Sequence, residues 1–386
     1  MDVLTHKCPN CGGALTFDPK DQKFHCPYCL SIFTEEEVTL YEEQQRKARM
    51  DDTLEQTTTE SNEGPDSTEQ ESMDSSEEEQ VDQTTQSETT KEDALELFLC
   101  PSCGAEIATD ATTAATYCYY CHNPVVLSGR LSGDFLPEKV LPFAIEKEEA
   151  VEKFLAWTKK KRFIPKAFFS KEQIDTLTGV YFPYWSVDAE LSGELDATGT
   201  RLRVWRVGDI EYTETKQFAV KRKGNLSFKE LVKNALSKNT QQKMVESVQP
   251  FPIQQAVDFK SQYLSGFQAE KRDIEFIDLR EPVVKELKEY SQNMLQQTAT
   301  GYTTLTNVRS QISLDSEAEH YMLLPVWLVT YRSHESSKKI YYYAMNGQTG
   351  RTSGVLPVSY KRLGLATAGI VAALLGVFLL GGYFLL

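Results

Sequence analysis

Two identical four-cysteine frames, an uncharged apolar C-terminus and a near-neutral middle of mixed periodicity predict a multi-domain chain. Its expected parts are two four-cysteine zinc ribbons of the small β class, a central α+β domain and one C-terminal transmembrane helix. The expected boundaries are 1–34 for the first ribbon, 35–97 for an acidic, largely disordered linker, and 98–128 for the second ribbon. The α+β domain is expected over 135–357 and the membrane helix over 363–386.

The cysteines come first because none is left over. Cys8, Cys11, Cys26 and Cys29 read C-x2-C, fourteen residues, C-x2-C, and Cys100, Cys103, Cys118 and Cys121 repeat the frame 92 positions later. A C-x2-C knuckle points two sulfurs of one tight turn at the same ion, and two knuckles complete a tetrahedral zinc site with Zn–S near ~2.3 Å. Gly12 and Gly104, just after two of the knuckles, permit the positive φ such a turn favours. Between the knuckles, "GALTF" and "QKFHC" alternate like strands around a polar "DPKDQ" turn, the layout of a ribbon. A disulfide framework fits poorly, because "MDVLTHK" has no apolar signal core. A redox C-x-x-C usually stands alone, and a catalytic zinc keeps an open position that four sulfurs do not leave. Two structural Zn2+ ions are therefore expected, each supplying folding energy to a unit too small for its own core. His6, His25 and His122 flank cysteines and are alternative ligands in principle, but the complete four-cysteine sets favour reading them as supporting or surface groups.

The chain carries a net charge of −15, but residues 51–100, with seventeen Asp/Glu against one Lys, carry −16 by themselves. The acidity belongs to the linker, and the rest is near neutral. Rich in Ser, Thr, Glu and Gln, the linker cannot bury enough surface to offset chain entropy. "TEEEVTLYEEQQRKARM" before it predicts a short polar helix opened by a Thr34/Glu37 capping box.

At the other end, "LGLATAGIVAALLGVFLLGGYFLL" holds 24 residues without a charge, enough to cross a ~30 Å hydrocarbon core. Lys361 and Arg362 on its N-terminal side predict a single-pass, tail-anchored protein of the cell membrane with its N-terminal domains in the cytoplasm. Thiolates for metal fit that reduced side. Gly364, Ala368, Ala372 and Gly376 form a small-residue row that predicts a weak homodimer through the anchor.

In the middle, "KEEAVEKFLAWTKKKR" is an amphipathic helix with Val151, Phe154 and Leu155 on one face and charges that complement its dipole. Ser227 and Glu230 predict a capped helix in "FKELVKNALSKN", and Pro282 predicts a helix start in "EPVVKELKEYSQNMLQQ". "RLRVWRV", "QFAVKR", "YTTLTNV", "VWLVTYR" and "KIYYYAMN" read as strands, the last closed at Asn346-Gly347. "YFPYWSV" and "LLPVWLV" share P-x-W-x-V, which fits either two related β-meanders or two unrelated strands with aromatic cores. No P-loop, G-x-G-x-x-G, G-x-S-x-G or H-E-x-x-H occurs. His320 and His334 are the domain's only histidines, and a non-enzyme is expected. Arg201, Arg203, Trp205 and Arg206 form a candidate nucleic-acid strip, not favoured because the domain is near neutral.

The "CPxC" knuckles, "GVYFPYWSVDAE", "YLSGFQAEK", "LPVWLVTYR" and "YYYAMNGQTGR" together resemble the bacterial transcription-factor-IIB-type zinc-ribbon-containing membrane proteins, some labelled as similar to the primosomal replication helicase. The resemblance implies zinc binding and a membrane location. It does not extend to helicase activity, which needs a P-loop. "CPYCLS" and "CYYCHN" lack the glycine of "CPxCG", which leaves ligation intact but weakens transfer of a DNA-binding role. The function expected is a membrane-anchored, cytosol-facing zinc-ribbon binding or scaffold protein, its protein partner unidentified. The alternatives are a nucleic-acid tether at the membrane and an enzyme of unknown chemistry in the α+β domain.

Overall fold

The computed structural model describes residues 3–59, 95–161, 163–165, 174–237, 246–332 and 340–385. Residues 60–94, the bulk of the expected disordered linker, and His334 lie outside them. The first cysteine unit supplies β1 (Val3–Leu4), β2 (Thr16–Asp18), β3 (Lys23–His25) and β4 (Ile32–Phe33), followed by helix α1 (Glu35–Thr59). The expected capping box forms: the Glu37 N–H donates to Thr34 Oγ1 (3.4 Å) and the Thr34 N–H to Glu37 Oε2 (2.8 Å). The helix runs past Met50, further than its capped start foretold. The second unit supplies β5 (Leu95–Leu99), β6 (Glu106–Asp110), β7 (Thr113–Tyr117) and β8 (Pro124–Leu127).

The central part comprises β9 (Lys139–Val140), α2 (Lys147–Lys159), β10 (Thr178–Val207), β11 (Ile210–Asn234), β12 (Val257–Asp258), β13 (Gln268–Glu270), α3 (Phe276–Thr298), β14 (Thr304–Arg332), β15 (Ile340–Asn346) and β16 (Thr352–Val355). Strands β10 and β14 are its axis, paired antiparallel from Thr178↔Leu328 to Thr200↔Thr304. Each folds into a hairpin, β10 with β11 and β14 with β15. Along β10 the period is two: Ala189, Leu191, Leu195 and Ala197 are buried while Glu190, Glu194 and Asp196 face water. Helix α3 covers the buried side through Leu295. Helix α2 lies on β15, with Phe154 and Trp157 against Tyr343 at ring distances of 4.8 and 5.2 Å. The face expected on α2 is the observed one, Phe154 buried and Val151 and Leu155 packed at the core's edge.

The shared P-x-W-x-V proves to mark a repeat of strand, helix and hairpin. Phe182 pairs with Leu324, Pro183 with Leu323 and Tyr181 with Pro325, so a pseudo-two-fold passes through the first pair. The short parallel strands obey it: β9 meets β14 at Met322↔Lys139, and β13 meets β10 at Val180↔Gln268. Trp327 Nε1 donates to Ile145 O and Trp185 Nε1 to Ile274 O, both at 3.0 Å, each two residues before a helix. The N–H groups of Ala144 and Ile145 donate to Gly347 O, as those of Asp273 and Ile274 donate to Ala235 O. Buried Asn234 and Asn346 close the equivalent hairpin ends, accepting from the N–H two residues on (Leu236, 3.3 Å; Gln348, 2.9 Å). Where the first repeat has Ala235, the second has Gly347, because the Phe143 ring would stand 2.6 Å from a Cβ there.

Two expectations are overturned. Residues 227–234 are strand, not capped helix: Ser227 Oγ donates to Glu190 Oε1 (2.6 Å), and the Glu230 N–H binds Asp188 Oδ1 (2.7 Å) at a bulge where Glu230 takes φ +59°. Cross-strand pairing with β10 outweighs the local box. Pro282 lies inside α3 rather than at its start, because the helix already begins at Phe276, behind the tryptophan-held Ile274. The last element is α4 (Tyr360–Leu385), the one helix among the described residues long and apolar enough to cross a membrane; its candidate span, Tyr360–Phe378, is nowhere buried against the protein.

The repeat's closing asparagines differ in load. Asn346 also donates to Val248 O (3.2 Å) and Pro250 O (3.1 Å), whereas among the described residues the Asn234 side chain bonds Leu236 alone. Asn346→Ala should destabilise by ~2–3 kcal/mol through buried groups left without partners, and Asn234→Ala by about half that, as urea unfolding would measure. Equal losses would refute the ranking.

Candidate metal centres

All four knuckles are built alike. In each, the N–H of the residue just after the second cysteine, four after the first, closes back onto the first cysteine's carbonyl: Gly12 to Cys8 (2.9 Å), Leu30 to Cys26 (3.0 Å), Gly104 to Cys100 (2.8 Å) and His122 to Cys118 (2.9 Å). The closing residue takes a left-handed conformation every time, φ +73°, +59°, +74° and +56°. Glycine is suited to it, and Leu30 and His122 accept it under the constraint of the turn.

This geometry gathers all eight cysteines into the two predicted tetrads, with the sulfurs of each set within 4.8 Å of one another. Cys8 and Cys29 stand 3.5 Å apart, as do Cys11 and Cys26; Cys100–Cys121 and Cys103–Cys118 are both at 3.7 Å. Disulfides would require ~2.05 Å. Four sulfurs around one ion at ~2.3 Å would lie ~3.8 Å apart, so the donor sets fit a tetrahedral metal. Each tetrad can hold one ion.

The sulfurs cannot all ionise without a cation. Hydrogen bonding with the Ser31 hydroxyl and backbone holds Cys29 down at about 6. At Cys118 burial pushes up, but the backbone N–H groups of Cys121 and Tyr120 outweigh it and leave the thiol at about 7. At Cys11 the Gly13 N–H pulls down, yet contact with Cys26 and Cys29 carries it up to about 12; burial pushes Cys121 to about 12 as well.

Two of the three flanking histidines, His6 and His25, are otherwise engaged. Buried His6 binds Glu42 through Nδ1 (2.5 Å). His25, with Asp18 and Asp21, forms a third close group, but the two carboxylates face different ring nitrogens, at 3.6 and 2.9 Å. That clamps the ring and does not converge on one ion.

The two units are joined to each other and to the central sheet. Strand β1 of the first pairs with β8 of the second at Val3↔Leu127 and Leu4↔Val126, and the Tyr28 hydroxyl donates to Asn123 Oδ1 (2.9 Å). Strand β7 continues into β13 and thence β10. The first unit also seats on residues 260–266: the Phe17 N–H donates to Ser265 O (2.9 Å), and Glu35 of α1 binds Lys260 and Tyr263. Sequence reading missed these docking residues, which carry no spacing signal. It also missed Arg130, buried under Phe98 (4.7 Å) and bound to Glu96 (2.8 Å) and Thr113 O (2.6 Å), which holds the second unit's hairpins together.

The candidate nucleic-acid strip is divided between two faces. Arg201, Arg203 and Trp205 share one face of the β10–β11 hairpin and Arg206 has the other. Acids stand beside them: Glu214 opposite Arg203, Glu211 opposite Arg206, and Asp209 at 4.0 Å from Arg206.

A protein of Bacillus subtilis (strain 168), described as "Uncharacterized protein YdjG", is 33% identical over 265 residues, which are 67% of this chain and 76% of that protein. No protein-family model matches the chain, and no solved structure matches it.

Because Cys11 and Cys121 keep their protons throughout the neutral range when no cation is bound, metal must expel them. Affinity for zinc should therefore rise with pH, at least about tenfold between pH 6 and pH 8, in chelator competition; pH-independent affinity would contradict this. Leu30 is 81% exposed, so its side chain packs on little. Leu30→Gly should relieve the left-handed strain and stabilise the zinc-loaded protein by ~0.5–1 kcal/mol, and a loss of stability would show that the turn is not strained.

Proposed function

The chain belongs to the same family as the YdjG protein of Bacillus subtilis, and from its own residues we propose that it is a membrane-anchored, cytosol-facing zinc-ribbon scaffold rather than an enzyme. The observation that carries this proposal is the joining of both cysteine tetrads to the sheet that leads into α4. Four-sulfur sets leave a metal no open position for chemistry, so the ions brace surfaces. Zinc suits them because a redox-silent dication with no geometric demand of its own fits a tetrahedron of thiolates. The ribbons are of the transcription-factor-IIB type that the knuckles resemble. Helix α4 is the anchor, with Lys361 and Arg362 holding the rest of the chain on the cytosolic side. The partner is a protein bound at the ribbons or the central sheet. A nucleic-acid tether is second, since acids stand across from Arg203 and Arg206 in the strip that would serve it.

Purified full-length protein should carry about two zinc ions per chain, and Cys26→Ser about one. In intact cells, a thiol reagent that cannot cross membranes should label no cysteine even after chelation. Metal-free protein with disulfides would refute the zinc assignment, and labelling from outside would reverse the topology. Affinity capture from detergent-solubilised membranes should retain its protein partners after nuclease; their loss would promote the tether.

A further inference from the structure

The β10–β11 hairpin outgrows the protein that supports it. Strand β14 leaves β10 at Thr200↔Thr304, and α3 has ended at Thr298. The loop after α3 covers one more level, with Arg201 Nε donating to Gly301 O (3.1 Å) and Tyr302 packed on Phe218. Beyond it, residues 201–207 and 210–216 continue as a two-stranded arm about 20 Å long at ~3.3 Å per residue. Gly208, φ +60°, opens its two-residue turn.

The face that α3 covers lower down does not become polar when the helix stops. By the two-residue period it carries Arg203 with Glu214, Trp205 with Tyr212, and Val207 with Ile210 as successive cross-strand pairs. Trp205 and Tyr212 stack at 5.7 Å and 12°, and Arg203 lies over Trp205 at 5.5 Å, so the face is ordered. Yet Trp205 is 40%, Tyr212 43%, and Val207 and Ile210 each 60% exposed. On the order of 400 Å² of apolar surface is left bare, the size at which a patch marks an interaction site. An isolated two-stranded hairpin is also marginal by itself in water.

We propose that this face is a self-association surface, which pairs with the same face of a second copy about a two-fold axis parallel to the arm. Such an axis sets each β10 residue against the β11 residue at the same level of the other copy. Arg203 then meets Glu214 of the other copy, Trp205 meets Tyr212, and Val207 meets Ile210, a self-complementary set in charge and in shape. Two anchors in one membrane would hold the copies in that parallel orientation; only this clause rests on the anchored reading. A lipid surface is a poorer occupant, because fully exposed Asp209 sits at the apex and would enter first. Nucleic acid is poorer still, given the paired acids. Two faces together fall short of the ~1,200 Å² of a stable complex, so the association is weak.

The test is sedimentation velocity of full-length, zinc-loaded protein in detergent over a wide concentration range. Wild type should show a reversible monomer–dimer equilibrium, and Ile210→Lys should weaken it at least about tenfold. Arg203→Glu, which sets two glutamates face to face, should weaken it by about the same factor, and Arg203→Glu with Glu214→Arg should restore it to near wild type. Arg203 and Ile210 are exposed and Glu214 partly so, and circular dichroism with zinc content checks folding. A wild type that stays monomeric would overturn the proposal. So would a double swap as weak as the single one, or variants that leave the dimer intact while Ala372→Ile dissolves it, which would assign dimerisation to the anchor alone. Binding to anionic vesicles lost with Ile210→Lys, without a dimer, would give the arm to lipid instead.

Discussion

Everything in the central part follows from the antiparallel contact of β10 with β14 at Phe182 and Leu324. Because the two strands cross at equivalent points of a repeat, whatever one repeat projects there falls on the other. Trp185, from the first, holds the carbonyl before the second helix, and Trp327, from the second, holds the carbonyl before the first. The hairpin ends are exchanged in the same way: Ala235 O receives the chain that enters α3, and Gly347 O receives the chain that enters α2. Neither repeat can satisfy its own helix entry. A buried amide without a partner costs about 1–3 kcal/mol, so half a structure is penalised at several positions at once, and the two halves must fold together.

The repeats have diverged where their surroundings differ. Phe143 stacks on Phe267 at 4.3 Å in one, and the equivalent position holds Arg272, nearly buried, over Trp185 and Tyr321 and bound to Glu275 (3.0 Å). The first unit's hairpin closes over the Phe143 side, where Gln22 donates to Phe143 O (2.8 Å). Water reaches the Arg272 side, and a charge that stacks on rings suits a half-open edge. The cysteine units thus do more than repeat a frame. The first supplies β1 to the second and covers one repeat; the second extends the sheet of the other through β7. The first unit shares the central core and the second has only a small cluster around Phe98, Ile107, Val125 and Leu127, so a metal at each tetrad would fix the very hairpins that the central sheet uses as its edge.

The cysteine sets were legible in full, because a thiolate tetrahedron is specified by spacing and needs nothing from elsewhere. So were α2, the strand content and the apolar C-terminus, each set by local periodicity. The echo of "YFPYWSV" in "LLPVWLV" was visible, but three letters do not state that Trp185 and Trp327 make the same bond. That lies in pairing between residues over a hundred positions apart. Ser227 and Glu230 misled for the same reason: the box is local, while the strand that claims them is fixed by Glu190 and Asp188 of β10. Tyr28, Asn123 and Arg130 gave no signal because docking has no period.

The arginine strip shows what is lost when one strand is read without its partner. Along β10, Arg201, Arg203 and Arg206 around Trp205 look basic. Across the ladder stand Lys216, Glu214 and Glu211, and Lys221 and Lys223 further down reach Asp196 and Glu194. Arg201 thus faces a lysine, which itself pairs with Glu214 (2.9 Å), but acids face Arg203 and Arg206, and the near balance of bases and acids leaves the arm little field to attract phosphate. With its charges nearly balanced, its distinguishing property is the apolar face that outlasts α3. That face inherits its period from the core beneath it, where burial against Leu295 explains it. Above the helix no part of this chain among the described residues does, and the alternation that α3 rewards below is equally suited to a second sheet packed across it.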